Sequence, residues 1–265
     1  MRRHRLRDHS INRLIPNMLT LTALCAGLTS VKFALAQKWE LAVICILVAA
    51  LFDALDGRIA RLLDSTSKFG AELDSLSDFI SFGVAPALIL YLWVMQDAGR
   101  IGWGVALLFS ACTALRLARF NTKLDNADLP AWTSRFFTGV PAPAGAALSL
   151  IPLVGYLRYG SGFFDHPLVV GFGMVGVASL MVSRLPTFSF KRLKVTQAWV
   201  LPAMVAATIV IALLLSDTWD TLLIAGFAYL ASIPFSYRQY QRLQRQRSMP
   251  TSTTLDSSIQ DADHL

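Results

Sequence analysis

Apolar residues fill this chain in runs long enough to cross a bilayer, broken by short polar interruptions. A helix needs about 20 residues to span the hydrocarbon. That ruler places eight candidate spans, at roughly 15–36, 39–62, 69–95, 102–121, 139–157, 166–183, 197–215 and 218–237. Strands are a poor alternative, because open strand edges leave backbone groups unpaired in lipid. The expected architecture is all-α, a polytopic membrane helix bundle over residues 15–237. Residues 1–14 mix Arg and His with Leu6, Ile11 and Leu14, and read either as a short interfacial helix or as a frayed basic tail. The first apolar run is of spanning length and lacks a convincing cleavage site, so it reads as a retained helix and not a signal peptide. From Arg238 the chain turns polar, and residues 238–265 read as a disordered cytoplasmic tail.

Composition sharpens this picture. With 54% hydrophobic and only 15% charged residues, no polar segment is long enough for a separate soluble catalytic domain. Any chemistry sits on the membrane helices or on the short loops between them. The formal net charge of +7 raises the question of nucleic acid, and the placement of the charges answers it. Lys and Arg cluster beside apolar runs, as headgroup contacts do, and no aromatic-interleaved basic strand offers base stacking. The partners read from this are membrane lipids and no nucleic acid.

The same charges set an orientation. One side of the expected bundle collects the amino-terminal arginines, Arg58, Arg61 and Lys68, then Arg116, Arg119, Lys123 and Arg135. It also receives Arg184, Lys191, Arg192 and Lys194, and finally Arg238, Arg242, Arg245 and Arg247. The other side has little beyond Lys32, Lys38, Arg100 and Arg158. The positive-inside rule makes the rich side cytoplasmic, with both termini there, as an even number of spans requires. The expected location is a bacterial-type inner membrane. Cys25, Cys45 and Cys112 lie within apolar runs without metal-site spacing, and read as packed hydrophobes.

The second and third spans carry what an apolar helix should not: Asp53, Asp56, Asp74 and Asp78. Ionisable residues at such depth are costly and are functional candidates by default. Four together repel one another unless a cation sits among them. At about 100° per residue, Asp53, Asp56, Gly57 and Ala60 share one face, and Asp74, Ser77, Asp78 and Ser81 share another. The short link through Asp64 to Lys68 makes the two helices antiparallel neighbours. Their carboxylates then converge near the cytoplasmic interface. Oxygen-only ligands suit Mg²⁺, Mn²⁺ or Ca²⁺. Gly57 and Ala60 either leave room for a phosphate to approach the backbone or serve close helix packing.

Asp53-x-x-Asp56-Gly57-x-x-Ala60-Arg61, then eight residues, then Gly70-x-x-x-Asp74-x-x-x-Asp78 resembles the signature of the CDP-alcohol phosphotransferase family at every fixed position. That resemblance implies a six-helix core, here with two added helices, and transfer of a phospho-alcohol group from a CDP-linked donor to an acceptor hydroxyl with release of CMP. It implies that Asp53, Asp56, Asp74 and Asp78 hold two divalent ions, Mg²⁺ or Mn²⁺, and that Asp78 doubles as general base. It also implies donor contacts from Gly57, Ala60, Arg61, Ser67 and Gly70, and suggests a homodimer. The blocks Ile15-Pro-Asn17, Ser81-Phe-Gly83, Ala85-Pro86-Ala87, Arg116-Leu-Ala-Arg119-Phe-Asn121 and Gly139-Val-Pro-Ala-Pro143 resemble the serine-using branch of that family. On this likeness the donor is CDP-diacylglycerol and the acceptor is L-serine. Arg116 and Arg119, i,i+3 neighbours on the fourth span, are then candidates for an acceptor carboxylate or a phosphate, the alternative being headgroup anchors. Sister acceptors such as glycerol 3-phosphate, inositol phosphate or choline compete with serine. A divalent-cation transporter is a remote alternative, because it needs acids on several helices along a through-path.

Overall fold

The computed structural model describes residues 3–65, 67–125, 136–160, 162–183, 186–188 and 197–248. Among the described residues, eight helical rods occupy the eight apolar segments. The first is α1, Arg3–Leu35, unbroken through the amino-terminal segment and through Pro16. It ends where Gln37 adopts a left-handed φ of 56° and the Lys38 N–H bonds the Phe33 carbonyl at 2.9 Å, a helix stop that glycine more often provides. Next comes α2, Trp39–Leu62. It closes on Asp64, with φ 46°, while the Ser65 N–H reaches back to the Ala60 carbonyl.

The third rod is composite. Helix α3, Lys68–Asp78, passes into a π-helical turn, Phe79–Val84, and then into α4, Ala85–Trp93. The sequence pattern gave no sign of that wide turn. It begins at the residue after Asp78, and wide turns inside helices tend to sit at functional positions. The Ser110 hydroxyl lies 3.3 Å from the Gly83 carbonyl inside it. A short 3₁₀ turn, Met95–Ala98, leads into α5, Gly99–Asp125.

The fifth rod is α6, Ala142–Ser149, followed by α7, Ile151–Tyr159, with Pro152 in the first turn of α7. Then follow α8, Pro167–Val182, α9, Gln197–Ser216, and α10, Thr218–Ser248. Helix α10 runs well past Tyr237, so the expected tail starts as helix, and residues 249–265 lie outside the described residues. Arg135 and the basic group from Arg184 to Lys194 likewise fall outside them or have undescribed side chains.

One feature departs from an all-helical reading. Phe136–Thr138 (β1) and Pro186–Phe188 (β2) form an antiparallel pair with Phe136 opposite Phe188. The segments following α5 and α8 emerge at the same end, where their backbone groups can pair. Gly139 follows at φ 80°, and a Cβ there meets the Met181 carbonyl oxygen at 2.4 Å, so only glycine lets this segment pass so close to α8.

The core lies between the rods, with Phe82, Ile89, Leu90, Phe109, Leu153 and Met174 fully buried. Leu21, Leu28, Phe172 and Phe227 point outward instead. That outward apolar surface is what a lipid solvent demands. By length and composition, three helices among the described residues suffice to cross a membrane: Leu14–Leu35, Lys68–Trp93 and Met95–Thr122. Helix α2 carries Asp53, Asp56, Arg58 and Arg61 along its second half, the charges that make it chemically interesting.

Candidate active site: a carboxylate cluster between α1, α2, α3 and α5

Helices α2 and α3 are antiparallel, so residues equally distant from their turn face each other. The turn centres near Ser65, which sets Asp56 against Asp74 and Asp53 against Asp78. The structure follows that register. Carboxylate oxygens of Asp53, Asp56 and Asp74 all lie within 4.8 Å of one another, as ligands of a shared ion do. Asp78 borders that trio, one helical turn or about 6 Å beyond Asp74 along α3. There it is within hydrogen-bonding reach of the Asp53 side chain and in the electrostatic field of Asp74.

The opposing cation comes from α5. The Arg116 guanidinium interacts electrostatically with Asp78 and Asp53. Its Nη1 is buried with no hydrogen-bond partner among the described residues. A buried guanidinium nitrogen without a partner is expensive, and an anionic ligand group in the site relieves the cost. Arg119 is placed differently, since its Nη1 donates to the Val182 carbonyl oxygen at 2.7 Å, at the end of α8. The i,i+3 pair thus divides, one side chain toward the carboxylates and one toward the backbone of α8.

Helix α1 supplies the wall behind the cluster, and this contribution was not anticipated. Thr20 Oγ1 donates to Asp56 Oδ2 at 2.6 Å, with the Pro16 carbonyl as its alternative acceptor at 3.0 Å. The single hydroxyl proton serves one acceptor at a time, and the charged one is stronger. Ser77 Oγ donates to the Thr20 carbonyl and Ser81 Oγ to the Ala23 carbonyl. A Cβ on Gly27 overlaps Ser81, so α1 and the third rod touch backbone to side chain there. The signal was present in the sequence as a stripe of small and polar residues, Thr20, Ala23, Gly27 and Ser30, at three- and four-residue spacing.

The expected donor-binding residues sort by what surrounds them. Gly57 opens onto free space, with no atom within 4 Å of where a Cβ would stand. Ala60 is partly buried and Arg61 exposed, one turn further toward the end of α2. Ser67 caps α3, its Oγ accepting the Gly70 N–H at 3.0 Å. Gly70 itself is tightly placed, since a Cβ there sits 3.1 Å from Asn17 Oδ1 and 3.2 Å from Ser67 Oγ. Asn121 on α5 exchanges hydrogen bonds with Ser75 on α3, fixing α5 across the mouth of the cluster.

The donor set therefore fits a hard divalent cation: oxygen ligands alone, carboxylates in excess over one guanidinium, and three of them already gathered. When bound, such ions neutralise phosphate charge and stabilise a leaving phosphate oxygen. A carboxylate site suited to hard cations, beside an open glycine surface in a helix bundle with an apolar exterior, is the site of a membrane-integral enzyme acting on phosphate esters.

Comparison with known proteins gives that class its family. Residues 13–179 match the model of the CDP-alcohol phosphatidyltransferases, and residues 198–234 match a second model described as CDP-alcohol phosphatidyltransferase 2. The chain belongs to the CDP-alcohol phosphatidyltransferase family. It is 36% identical over 231 residues to a Mycobacterium tuberculosis protein named CDP-diacylglycerol–serine O-phosphatidyltransferase, covering 87% of this chain and 80% of that protein. Proteins of the same name from Helicobacter pylori (strain J99) and Bacillus subtilis are 38% and 33% identical, over 68% and 67% of this chain and 74% and 92% of their own lengths.

Thr20 acts on this site as a positioning residue, through Asp56. Thr20→Val keeps the shape and removes the donor. The expected result is a rise of about tenfold or more in the Mg²⁺ concentration for half-maximal turnover, with Thr20→Ser close to wild type. An unchanged metal dependence in Thr20→Val removes Thr20 from that role.

Proposed function

We propose that this protein transfers the phosphatidyl group of CDP-diacylglycerol to the hydroxyl of L-serine, giving phosphatidylserine and CMP. The observation that carries the chemistry is the meeting of Asp53, Asp56 and Asp74, with Asp78 and Arg116 immediately beside them. Three relatives from distant bacteria, each at 33–38% identity, bear the name of this activity.

In this reading Asp53, Asp56, Asp74 and Asp78 would hold two divalent ions, Mg²⁺ or Mn²⁺, which would neutralise the phosphate charge of the donor. The CDP moiety lies over Gly57 and Ala60, where the helix surface is open, with Arg61, Ser67 and Gly70 at its edge. Asp78 takes the proton of the serine hydroxyl. The freed oxygen forms a bond to the phosphorus that carries diacylglycerol. The bond from that phosphorus to the bridging oxygen of the pyrophosphate breaks, and CMP leaves with the electron pair. Arg116 binds the serine carboxylate through its unpartnered nitrogen, a geometry to which a guanidinium is suited. Arg119 serves the same site from one turn away by tying α5 to α8.

The topology follows the same reading. All eight rods cross the membrane, the six from α1 to α8 forming the family core and α9 and α10 the additions. Both termini and the carboxylate cluster face the cytoplasm, where serine is available, and the membrane is a bacterial inner membrane. Residues 1–14 form the interfacial lead of α1, and residues past 248 a polar cytoplasmic tail. The homodimer rests on family resemblance.

Purified protein supplied with CDP-diacylglycerol, Mg²⁺ or Mn²⁺ and one alcohol at a time tests the assignment by CMP release. Serine is expected to give CMP and phosphatidylserine. CMP release with glycerol 3-phosphate, inositol phosphate or choline but not with serine replaces the acceptor and leaves the reaction class standing.

A further inference from the structure

Helix α10 brings the Tyr229 phenol into the neighbourhood of the carboxylates. Leu222, Gly226 and Tyr229 follow one another at i, i+4 and i+7, so they share a face of the helix. That face closes an apolar groove against α2 and the α6–α7 rod. Ala50, one turn before Asp53 on α2, lines the same space. Among the lining residues Tyr229 alone bears a hydroxyl, and its oxygen is buried.

Two anchors hold the phenol in place. A Cβ on Gly226 meets Ile151 Cδ1 at 2.7 Å, so the backbone of α10 lies directly on that side chain of α7. At the start of α10, Asp220 receives the fork of Arg158, with Nε donating to Oδ1 at 2.9 Å and Nη2 to Oδ2 at 2.8 Å. Tyr229 stands about 13.5 Å further along the helix from that pair.

The phenol meets the site at Arg116. Guanidinium and phenol interact electrostatically, and the same guanidinium interacts with Asp78 and Asp53. Arg116 Nη1 is nevertheless buried without a hydrogen bond to Tyr229 or to any other described residue. A guanidinium offers only donors and a phenol offers one. A group with a negative charge and two acceptor oxygens suits both at once.

We infer that the Tyr229 hydroxyl is a second donor to the carboxylate of the acceptor, so that α10 helps select an amino acid over a simple amino alcohol. The inference rests on the proposed use of serine, with its carboxylate on Arg116. A carboxylate held by Arg116 and Tyr229 keeps the rest of the acceptor near Asp78, the group assigned to take its hydroxyl proton. An amino alcohol without a carboxylate offers neither donor a charged acceptor, and its binding is weaker for that reason.

The test compares the wild-type protein with Tyr229→Phe, which keeps the ring and its packing and removes the hydroxyl. Formation of phosphatidylserine from CDP-diacylglycerol and serine is followed with Mg²⁺ supplied. Two competitors of serine are titrated: L-alanine, which has the carboxylate without the hydroxyl, and ethanolamine, which has the hydroxyl without the carboxylate. The expected result is a rise of about tenfold in the KM for serine and in the inhibition constant of L-alanine. The KM for CDP-diacylglycerol, the Mg²⁺ dependence and the inhibition constant of ethanolamine stay at wild-type values. An unchanged KM for serine overturns the assignment. Equal losses for L-alanine and ethanolamine overturn it too, because a pocket that is merely loosened does not distinguish a carboxylate. Absence of phosphatidylserine with the wild-type protein instead overturns the reaction on which the inference rests.

Discussion

At saturating Mg²⁺, Asp78→Asn is expected to lower kcat by about 10²–10⁴-fold while leaving the helical content and the KM for CDP-diacylglycerol close to wild type. The substitution preserves shape and removes the group proposed to accept the serine proton. Position singles out Asp78 among the four acids. The other three already share oxygens within 4.8 Å, whereas Asp78 lies deeper on α3, beside Asp53 and opposite Arg116. An acid whose only role was to complete the ion-binding set gives a different result: high Mg²⁺ then restores the variant, and KM moves together with kcat. Wild-type turnover in Asp78→Asn removes it from the base role altogether.

The second large effect is that of metal removal. Chelation of divalent cations should abolish CMP release, and readdition of Mg²⁺ or Mn²⁺ should restore it. The four acids face one guanidinium, so without bound cations the like charges repel one another and the phosphates of the donor. The same logic extends to stability. An ion that binds only the folded site contributes about 2.7 kcal/mol at a hundred times its Kd. For a chain of this size that corresponds to a Tm rise of about 2–4 °C per kcal/mol. Thermal unfolding followed with and without Mg²⁺ reads this directly, independently of turnover. Full activity in chelator, or a Tm indifferent to the ion, contradicts the metal site.

Two features near the site bear on how these effects should be read. The π-helical turn at Phe79–Val84 begins immediately after Asp78, so changes in this stretch alter the direction of α4 as well as the local contacts. The α1 face makes Asp56 answer to Thr20, so a lesion on the first helix can weaken ion binding without touching a ligand. Activity losses from α1 variants are therefore to be compared at saturating metal before they are read as losses of chemistry.

Much of the site was legible in the sequence. The spacing of Asp53, Asp56, Asp74 and Asp78 fixes which residues share a face of each helix, and the short link fixes that the two helices are antiparallel. Those two facts determine the convergence of the carboxylates, their oxygen-only chemistry and their position at one end of the bundle, because helical period and loop length are local properties. Acids within apolar runs stand out because lipid tolerates few of them.

What lay beyond the sequence was which helix stands opposite which. A helix apolar around its whole circumference gives no sign of its inward face, since lipid and protein neighbours are equally apolar. The small and polar stripe of α1 marks a packing face but does not name its neighbour, so only the tertiary structure could put Thr20 on Asp56, turn Arg116 toward Asp78 while sending Arg119 to Val182, and set α10 beside α2 as the wall of a groove. The carboxylate signature was written along two neighbouring helices and could be read locally. Its supports come from α1, α5 and α10, and their places were decided by packing between segments far apart in the chain.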